Sequence, residues 1–503
     1  MSSRPTTMCL TVASLLGLAA CGGGGGGGAP PAPVTPTSWI AVDPGPSTDY
    51  ARGMAAGPDD STYVAGWFGN TQTWDLGKPS ETTRTALKQL DGYLARRDAS
   101  GALLWLQQIV GTDFVEPIEP VTLADGSCVV AGESSELTIF APGQAEQTFI
   151  DDVDDYFFLA RYLTDGTLAW VRKIEGGGDV WGSTLYSDGS FAVCGRGFGT
   201  MVFGGGTPAE TTLDCTSGYS DWVARYDADG TLRFAVSATD CHGTAIGSSV
   251  AALPDGTSIV GGSFTGTVTF AAGTSVERIF TSTGVDDGYM ARLGTKGDVL
   301  WARQLAGTGR ELLYGATSMP DGTVVLAGSN TSTSLAINAG EPDVETLTGP
   351  AAGFDFLYRV NAAGTPLWSA QIDHMPGGFV NIAGVVGFPD NSVGIAGAGS
   401  GTVTVDPGGP AEADLPSFDV SDLFLAIYDA SGDLVVARRD GGAGIIFRAE
   451  GATAYPNGSI GFAGAFQDSF TVDQGGPSQT TFLGASGEDT IVIKYNPDLS
   501  HDG

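Results

Sequence analysis

The chain has few positive charges. Its 503 residues include 23 Lys and Arg against 57 Asp and Glu, which gives a formal net charge of −34. A surface of this sign repels phosphate backbones and anionic lipid headgroups. The acidic residues are spread along the chain and do not form one tail, so the charge indicates a soluble surface and argues against a nucleic-acid partner.

Groups that carry common catalytic chemistry are also scarce. Only His242, His374 and His501 are present, and the first two fall in different repeats, which disfavours a zinc site or an acyl-transfer triad. No serine lies in a nucleophile elbow, and no acidic pair completes a calcium-binding loop. We therefore assign no catalytic, cofactor-binding or metal-binding residue from the sequence.

The sequence lacks a long helical period. Gly accounts for 77 residues and charged residues for 16% of the chain, while Val, Thr, Phe and Tyr are common. Such a composition is typical of many short strands joined by tight turns. The sequence therefore predicts an all-β fold.

The N-terminus has the pattern of an export signal. Arg4 precedes an apolar segment at 8–20, which is too short to span a bilayer and ends in Leu18-Ala19-Ala20-Cys21. This tetrapeptide resembles the bacterial lipobox, and the resemblance implies signal cleavage after residue 20 and lipidation of Cys21. Several acyl chains on one residue would give stable anchoring. The alternative is an ordinary signal peptide with an incidental cysteine.

Residues 21–37 follow as a lipidated cysteine and a tether. Seven glycines at 22–28 indicate a flexible coil, and the Pro-rich stretch to residue 37 indicates a semi-rigid spacer. Gly22 stands where the lipoprotein retention signal would place Asp, so the resemblance implies export to the outer membrane, in either leaflet. The expected organisation is a signal peptide at 1–20, a tether at 21–37 and a folded body at 38–503.

The body consists of repeats of about 66 residues. A glycine that ends the second strand of each repeat recurs at intervals of 63 to 69 residues. Six residues before each glycine, an Asp- or Asn-containing pair such as Asp125-Gly126 predicts a two-residue hairpin turn between strands A and B. The marker glycines are Gly66, Gly132, Gly195, Gly262, Gly328, Gly397 and Gly464.

Strands C and D of each repeat have their own pattern. Strand C begins at an Asp and in most repeats ends at a basic residue, and a Trp or other apolar residue lies nine positions later in strand D. A large ring at a fixed strand position predicts packing between neighbouring sheets. The basic and apolar pairs are Arg96 and Trp105, Arg161 and Trp170, Arg225 and Phe234, Arg292 and Trp301, Arg359 and Trp368, with Ile427 and Val436 as the exception.

The last repeat ends without a strand D. Trp39 stands 27 residues before Gly66, which matches the spacing from Trp105 to Gly132. We therefore predict that residues 39–42 supply the missing strand and close a seven-bladed β-propeller, a fold that leaves only short protected edges. An open solenoid is the alternative, but it would leave incomplete blades at both ends.

The repeats from residue 38 to 498 resemble the bacterial SBBP-type β-propeller family. The resemblance rests on the Gly- and Asp-containing loop, the Asp/Asn-Gly hairpin and the strand ending in glycine, and it implies a secreted or cell-surface protein without implying one activity. Residues 225–234 and 359–368 also resemble the tryptophan-docking motif of quinoprotein propellers. A quinone cofactor would, by that family's pattern, need an adjacent Cys-Cys pair and a calcium site, and neither is present.

Four cysteines fall in the body. Cys215 and Cys241 lie in loops on one face of one blade, and we predict a disulfide between them in an oxidising compartment. Cys128 and Cys194 lie in strand B and are expected to be small buried hydrophobes.

Function is expected on the face that carries the B–C and D–A loops. The B–C segments, such as 330–353 and 399–421, are long and differ between repeats, and variable loops on a rigid scaffold commonly bind ligands. Short apolar runs inside these segments, such as 200–203, 266–270 and 401–405, are expected either to extend strand B or to add an edge strand to the blades. We expect a monomeric, non-catalytic surface lipoprotein that binds a protein or a polysaccharide. A propeller enzyme, either a glycoside hydrolase or a lyase, and an outer-membrane assembly scaffold are the alternatives.

Overall fold

The computed structural model describes residues 38–145, 147–150, 154–239, 244–418, 420–442, 446–485 and 487–501. These residues form antiparallel β-sheets, and none of them lies in a helix. The predicted all-β fold is confirmed. The predicted signal peptide, Cys21 and the tether lie outside the described residues. Over the part of the chain that is described, no helix has the length and apolar character needed to cross a membrane.

The strands are numbered in chain order. The first are β1 (Trp39–Asp43), β2 (Asp49–Ala56), β3 (Thr62–Trp74), β4 (Thr82–Arg97), β5 (Leu103–Gly111), β6 (Val115–Thr122), β7 (Cys128–Ser134), β8 (Thr138–Phe140), β9 (Thr148–Ile150), β10 (Tyr156–Tyr162), β11 (Leu168–Leu185), β12 (Phe191–Phe203), β13 (Thr211–Tyr226) and β14 (Leu232–Val236). Next are β15 (Thr244–Ala252), β16 (Ser258–Thr265), β17 (Thr267–Phe270), β18 (Arg278–Thr281), β19 (Asp287–Leu293), β20 (Val299–Gly307), β21 (Glu311–Ser318), β22 (Val324–Asn330), β23 (Ser334–Ile337), β24 (Glu345–Thr348), β25 (Phe354–Val360) and β26 (Pro366–His374). The last are β27 (Phe379–Gly387), β28 (Val393–Ser400), β29 (Val403–Val405), β30 (Ala413–Leu415), β31 (Asp422–Tyr428), β32 (Leu434–Asp440), β33 (Ile446–Ala454), β34 (Ile460–Phe466), β35 (Ser469–Val472), β36 (Thr480–Leu483) and β37 (Asp489–Tyr495).

One four-strand arrangement recurs along the chain. In each group a first strand pairs with a second, the second with a third and the third with a fourth, always antiparallel. Each group is named below after its first strand, and β11 belongs to two groups because it runs on from one into the next. The groups are β2-β3-β4-β5, β6-β7-β10-β11, β11-β12-β13-β14, β15-β16-β19-β20, β21-β22-β25-β26, β27-β28-β31-β32 and β33-β34-β37-β1.

The N-terminal strand completes the last group, as predicted. Strand β1 pairs with β37, with Trp39 opposite Lys494 and Val42 opposite Ile491. The Trp39 ring lies against Gly101, where an added Cβ would be 2.6 Å from the ring, so this turn accepts the ring only because it carries a glycine. The first strands pack in sequence from β2 to β33, and β33 packs in turn against β2. The two ends of the body therefore share one sheet.

The core lies between neighbouring groups. Tyr63 of β3 packs with Val130 of β7 and Phe158 of β10, and all three are fully buried. Similar apolar clusters fill the other interfaces between groups. Burying such side chains contributes about 1.5–3 kcal/mol each, so the apolar residues on both faces of the second and third strands hold the groups together.

The loops between first and second strands differ in length from the prediction. In the β6 group, the Leu123 N–H donates to the Ser127 carbonyl at 2.8 Å, and the Gly126 N–H donates to the Leu123 carbonyl at 2.9 Å. This is a three-residue loop, a type I turn followed by a left-handed residue, and not the two-residue turn that was predicted. The second residue of the Asp- or Asn-containing pair is left-handed in each group, namely Asp60, Gly126, Gly189, Gly256, Gly322, Asn391 and Gly458.

These loops and those between third and fourth strands form the turn end of the sheets, where the Arg and Trp pattern makes contacts between groups. Arg96 pairs with Asp59 at 2.8 Å in its own group, and it donates from Nη1 to the Thr164 carbonyl of the next group at 2.6 Å. Trp105 donates from Nε1 to the same carbonyl at 3.0 Å. The predicted packing between neighbouring sheets is confirmed. The two donors recur from Arg161 and Trp170 to Ala228, from Arg292 and Trp301 to Ala362, and from Arg359 and Trp368 to Ala430.

The β27 group, which has Ile427 and Val436 in place of Arg and Trp, uses another residue. Arg438 lies two positions beyond Val436 and donates from Nη1 to the Leu499 carbonyl of the next group at 2.7 Å. Its guanidinium also lies 5.3 Å from the Tyr495 ring centroid. The contact between groups is thus preserved from a different position of the same strand.

The long segments between second and third strands fold into hairpins on the outside of the sheets. Strand β8 pairs with β5, β23 with β20 and β29 with β26, and each of these partners is the outer strand of the preceding group. Both predicted outcomes occur, since the apolar run at 200–203 extends the second strand β12 and the run at 401–405 contains the added edge strand β29. Much of each segment therefore covers a neighbouring sheet edge, and less of it projects as a binding loop than the sequence suggested.

Candidate functional site

Every first strand contains a β-bulge at its middle. In β2, for example, Ala51 lies opposite Gly66 and Gly53 opposite Ala65, which leaves Arg52 as the extra residue. Bulges redirect side chains and are common next to functional sites. Outside β15, the extra residue stands fourteen positions before the marker glycine, and these residues are Arg52, Ile118, Trp181, Tyr314, Ala383 and Glu450.

The first strands enclose a central cavity of about 450 Å³. Its lining includes the bulge residues Trp181, Tyr314, Ala383 and Glu450 together with Glu119. The backbone is the same at each bulge, but the side chains differ in size, charge and polarity. The cavity is therefore asymmetric, unlike the sheets around it.

Two of the bulge residues form an ion pair where the ends of the chain meet. Arg52 of β2 donates to Glu450 of β33 at 2.9 Å, and their side chains are 19% and 16% exposed. Both residues come from the joined first and last groups, so this pair depends on closure of the sheets. Glu450 lines the cavity, and Arg52 neutralises its charge.

A third bulge residue, Trp181, belongs to an aromatic patch. This patch lies at the end of the sheets opposite the turn end, where the segments between second and third strands leave the sheets, and this end is called the loop end. We define the channel-mouth cluster as Asp179 and Trp181 of β11, Arg196 and Phe198 of β12, and Tyr219 of β13. The guanidinium of Arg196 lies 4.7 Å from the Tyr219 ring centroid and 5.7 Å from that of Trp181. Phe198 and Tyr219 meet edge to face with their centroids 5.2 Å apart.

The local sequence explains this arrangement. Residues 176–178 are three glycines, and a Cβ at Gly177 would lie 2.5 Å from the Phe198 ring. Strand β11 passes without a loop from one group into the next, so nothing in it covers the rings of the neighbouring strands. Trp181, Phe198 and Tyr219 remain 37%, 41% and 41% exposed. Exposed aromatic rings that lie together are typical of a binding surface.

Carboxyl groups lie beside the cluster. Asp179 accepts hydrogen bonds from Nε and Nη2 of Arg196, the first at 2.9 Å. Glu133 of β7 lies directly opposite Glu116 of β6 and accepts a hydrogen bond from the Val180 N–H at 2.8 Å. Burial raises the pKa of Glu133 to about 8, and the charges of Asp179 and Glu116 act in the same direction. Glu133 is therefore largely protonated at neutral pH and can donate a hydrogen bond.

Glu119 lines the cavity further inside. It accepts a hydrogen bond from the Ser183 hydroxyl at 3.1 Å, and burial raises its pKa to about 7. A carboxyl group with such a pKa can act as an acid or a base near neutral pH. Glu119 and Glu133 are thus the described carboxyls of this region that could exchange protons with a ligand.

A buried pair supports another bulge residue. The Tyr314 hydroxyl donates to Asp355 at 2.5 Å. Asp355 is buried, and this burial raises its pKa to about 8. Asp355 lies at the start of the third strand of the same group, so this hydrogen bond fixes the position of the Tyr314 ring within the group.

The other aspartates that begin third strands also have structural partners. Asp91 accepts hydrogen bonds from the Leu87 and Gly111 N–H groups, and Asp489 accepts them from those of Gly45 and Ala485. Each aspartate thereby ties loops of its group to the loop end of the sheet. The repeated Asp is explained by this bonding, and among the described residues no three His, Cys, Asp or Glu side chains are grouped as metal ligands.

The structure describes only some of the site residues predicted from the sequence. Cys21 and Cys241 lie outside the described residues, so lipidation and the disulfide stay predictions. Cys215 is buried in β13 opposite Gly199, next to the aromatic patch. Cys128 and Cys194 are fully buried in second strands, as expected.

The channel-mouth cluster and the bulge ring were not predicted. The bulge position can be counted from the marker glycine in most repeats, and its variation between repeats is the signal that could have revealed it. The outer hairpins contain a second pattern that the sequence analysis missed, a left-handed residue followed two positions later by a glycine. The N–H of this glycine donates a hydrogen bond to a Glu or Gln side chain four residues further along the chain. The pairs are Gly77 and Glu81, Gly143 and Gln147, Gly206 and Glu210, Gly273 and Glu277, Gly408 and Glu412, and Gly475 and Gln479.

No family model matches the chain, and no curated protein matches it. Among solved structures, a polysaccharide lyase described as an ulvan lyase aligns with a TM-score of 0.36 at 10% identity, over 88% of this chain and 96% of that one. An α-L-arabinanase from Penicillium chrysogenum aligns with a TM-score of 0.32 at 13% identity, over 65% of this chain and 94% of that one. A mannose phosphorylase from Leishmania mexicana aligns with a TM-score of 0.27 at 12% identity, over 63% and 84%. Similarity at this level carries no conclusion about the site.

Proposed function

We propose that the chain is an exported, lipid-anchored protein whose body is a closed seven-bladed β-propeller and that it binds a polysaccharide at the channel-mouth cluster. The observation that carries the binding proposal is the set of three exposed rings around Arg196, one of which, Trp181, lines the central cavity. Rings with one open face can stack on the apolar face of a sugar, and the neighbouring carboxyl and guanidinium groups can bind its hydroxyls.

The closed propeller is supported by the recurrent four-strand groups and by the pairing of β1 with β37. The ring of first strands encloses the central cavity and gives each of these strands a neighbour on both sides. A rigid frame of this kind suits binding because it holds the rings in place before the ligand arrives.

A glycan array tests the binding proposal. The purified full-length protein in detergent is expected to bind a subset of polysaccharides, and Trp181→Ala and Tyr219→Ala are each expected to weaken that binding roughly tenfold or more, which corresponds to about 1.4 kcal/mol. Phe379→Ala is the matched control, since its ring is 45% exposed at the start of β27, in a group remote from the cluster.

Two results would contradict the proposal. One is glycan binding that Trp181→Ala and Tyr219→Ala leave unchanged. The other is attachment to cells that protease treatment removes and glycosidase treatment does not, which would indicate a protein partner at the loop end.

The anchor has its own test. Cleavage after residue 20 and acylation of Cys21 would give a mature protein that partitions with membranes and whose N-terminal peptide carries the mass of the acyl chains. Cys21→Ser is expected to release the protein into the soluble fraction. If Cys21→Ser leaves the protein in the membrane fraction, the lipid anchor is wrong.

A second candidate function is a glycoside hydrolase or lyase. It is favoured by Glu119, whose raised pKa and position in the cavity suit general acid or base chemistry. Release of reducing ends or unsaturated products from a bound glycan, abolished by Glu119→Gln with binding retained, would establish it. Binding without turnover would leave the non-catalytic proposal in place.

A further inference from the structure

We infer that the channel-mouth cluster selects uncharged polysaccharides and excludes polyanionic ones. This inference rests on the proposed function and specifies the class of glycan that the same site takes.

The positive groups at the site are already neutralised. Arg196 donates from Nε and Nη2 to Asp179, and its guanidinium also faces the rings of Tyr219 and Trp181. Arg52 is paired with Glu450 at 2.9 Å. A sulfate or uronate group would have to displace a carboxylate from one of these guanidinium groups, and this exchange gains little because one anion replaces another.

The remaining charges repel an anion. Glu116 lies opposite Glu133 across two paired strands, and Glu116 and Asp179 are both close enough for their charges to act on Glu133. The whole chain carries a formal net charge of −34. A polyanion that approaches the loop end therefore meets a negative field at long range and the carboxylates of Glu116 and Asp179 at short range.

Sugar hydroxyls fit the same groups. A hydroxyl both donates and accepts, so it can bind an ionised carboxylate as donor or a protonated carboxyl group as acceptor. Asp179 offers the first kind of partner, and the raised pKa of Glu133 offers the second. The rings of Trp181, Phe198 and Tyr219 supply the apolar contact, which needs no charge on the ligand.

A titration of the full-length protein with two glycan sets tests the inference. Soluble neutral glucans, mannans and arabinans form one set, and alginate, pectate and sulfated galactans form the other. We expect binding within the neutral set, with an affinity that changes less than about twofold between 50 and 500 mM salt, because contacts without net charge are little screened.

The Asp179→Asn variant gives a second test, in which binding of polyanions is expected to be gained. It removes the carboxylate that neutralises Arg196 and is expected to allow polyanions to bind at low salt, with an affinity that falls as salt rises. Asp98→Asn is the matched control, since Asp98 lies in the turn-end loop between β4 and β5 and binds only its own loop.

The outcomes separate the inference from the proposed function. Salt-sensitive binding of a polyanion by the unaltered protein, lost in Trp181→Ala, would overturn the inference and keep the glycan-binding function. An absence of binding to every glycan in both sets would overturn both. Neutral glycan binding that Trp181→Ala abolishes, together with polyanion binding gained in Asp179→Asn, would support the inference.

Discussion

The two ends of the sheets use repetition differently. At the turn end, an Arg, an Asp and a Trp make the same contacts in one group after another, from Arg96 and Trp105 to Arg359 and Trp368. At the loop end, the backbone bulge of the first strands repeats, but its side chain changes from Arg52 to Trp181 to Tyr314. Repeated side chains stabilise neighbouring groups against each other, whereas varied side chains on a repeated backbone create a particular surface.

Removing residues 38–42 is expected to have the largest effect on stability. The deletion takes away the outer strand of the last group and the Trp39 ring, which is 7% exposed. Loss of the ring alone is expected to lower the free energy of unfolding by about 3–5 kcal/mol. The backbone hydrogen bonds with β37 are lost in addition. A large fall in the melting temperature measured by circular dichroism is expected.

Trp39→Ala separates the ring from the strand in that experiment. It retains the backbone pairs with β37 and is expected to account for the greater part of the loss. An unchanged melting temperature in the deletion variant would mean that the groups do not depend on closure.

Arg359→Ala is expected to come next. The Arg359 guanidinium donates to Asp321 and Thr323 in its own group and to the Ala430 carbonyl in the next group, and its side chain is 3% exposed. Removing it takes the donor from these acceptors and leaves the space of a buried side chain empty, at a cost of about 1–3 kcal/mol. Urea denaturation followed by fluorescence measures this cost.

Arg278→Ala is the control for that variant, because Arg278 is 46% exposed and lies 3.9 Å from Glu341. Its expected cost is below about 0.5 kcal/mol. Equal effects of the two substitutions would show that the repeated turn-end contacts add nothing beyond ordinary surface pairs.

Asp355→Asn is expected to reveal a pH-dependent effect at the loop end. Because burial raises the pKa of Asp355 to about 8, the folded protein keeps a proton that the unfolded chain loses near pH 4. Stability from this group is therefore present below pH 4 and declines as the pH rises to 8. The variant keeps an acceptor for the Tyr314 hydroxyl. At pH 9 its free energy of unfolding should exceed that of the unaltered protein by on the order of 1–3 kcal/mol, and at pH 4 the two should be equal.

Asp321→Asn serves as a control of opposite sign. Hydrogen bonds from Thr323 and the charge of Arg359 together hold the pKa of Asp321 below its usual value, despite the opposing effect of burial. Stability from this group is present at neutral pH and is lost as the pH falls, so the variant is expected to be the less stable protein at pH 7. Because that loss falls below about pH 4, melting temperatures are measured from pH 2 to 9, and differences between the three proteins that stay constant over this range would contradict both assignments.

Tyr219→Ala is expected to have the smallest effect on stability. Its ring is 41% exposed and contributes to the aromatic patch without filling a core, so the cost should stay within about 1 kcal/mol. Glycan affinity should nevertheless fall roughly tenfold. A loss of stability as large as that of Arg359→Ala would place Tyr219 among the structural residues and weaken the contrast between the two ends.

Most of the repeat structure could be predicted from the sequence. The turn residues, the marker glycines and the Arg and Trp positions act locally or between adjacent repeats, so their spacing is visible along the chain. The pairing of Trp39 with the last repeat followed from the same spacing. The turn length was wrong because a left-handed Asp or Gly suits both two-residue and three-residue loops.

The site was harder to predict. Trp181 stands at the same distance from its marker glycine as other bulge residues, but this spacing does not reveal a bulge until the strands are paired. Nothing in the local sequence of Arg196 distinguishes it from a core residue. Their importance comes from the bulge that turns Trp181 towards the cavity and from the glycines at 176–178 that leave the rings exposed. The long second-to-third-strand segments were expected to carry the binding surface, but they form hairpins that cover neighbouring edges.

The sequence by itself determined the period, the strand order and the partner of the first strand, because those properties depend on turn chemistry and on the spacing of glycine, Arg and Trp within each repeat. The tertiary structure alone decided which side chains meet around the axis. Arg52 and Glu450 are 398 residues apart in the chain and come within 2.9 Å only because the sheets close. The pKa values of Glu119 and Glu133 likewise rise only when packing removes water from their carboxyl groups.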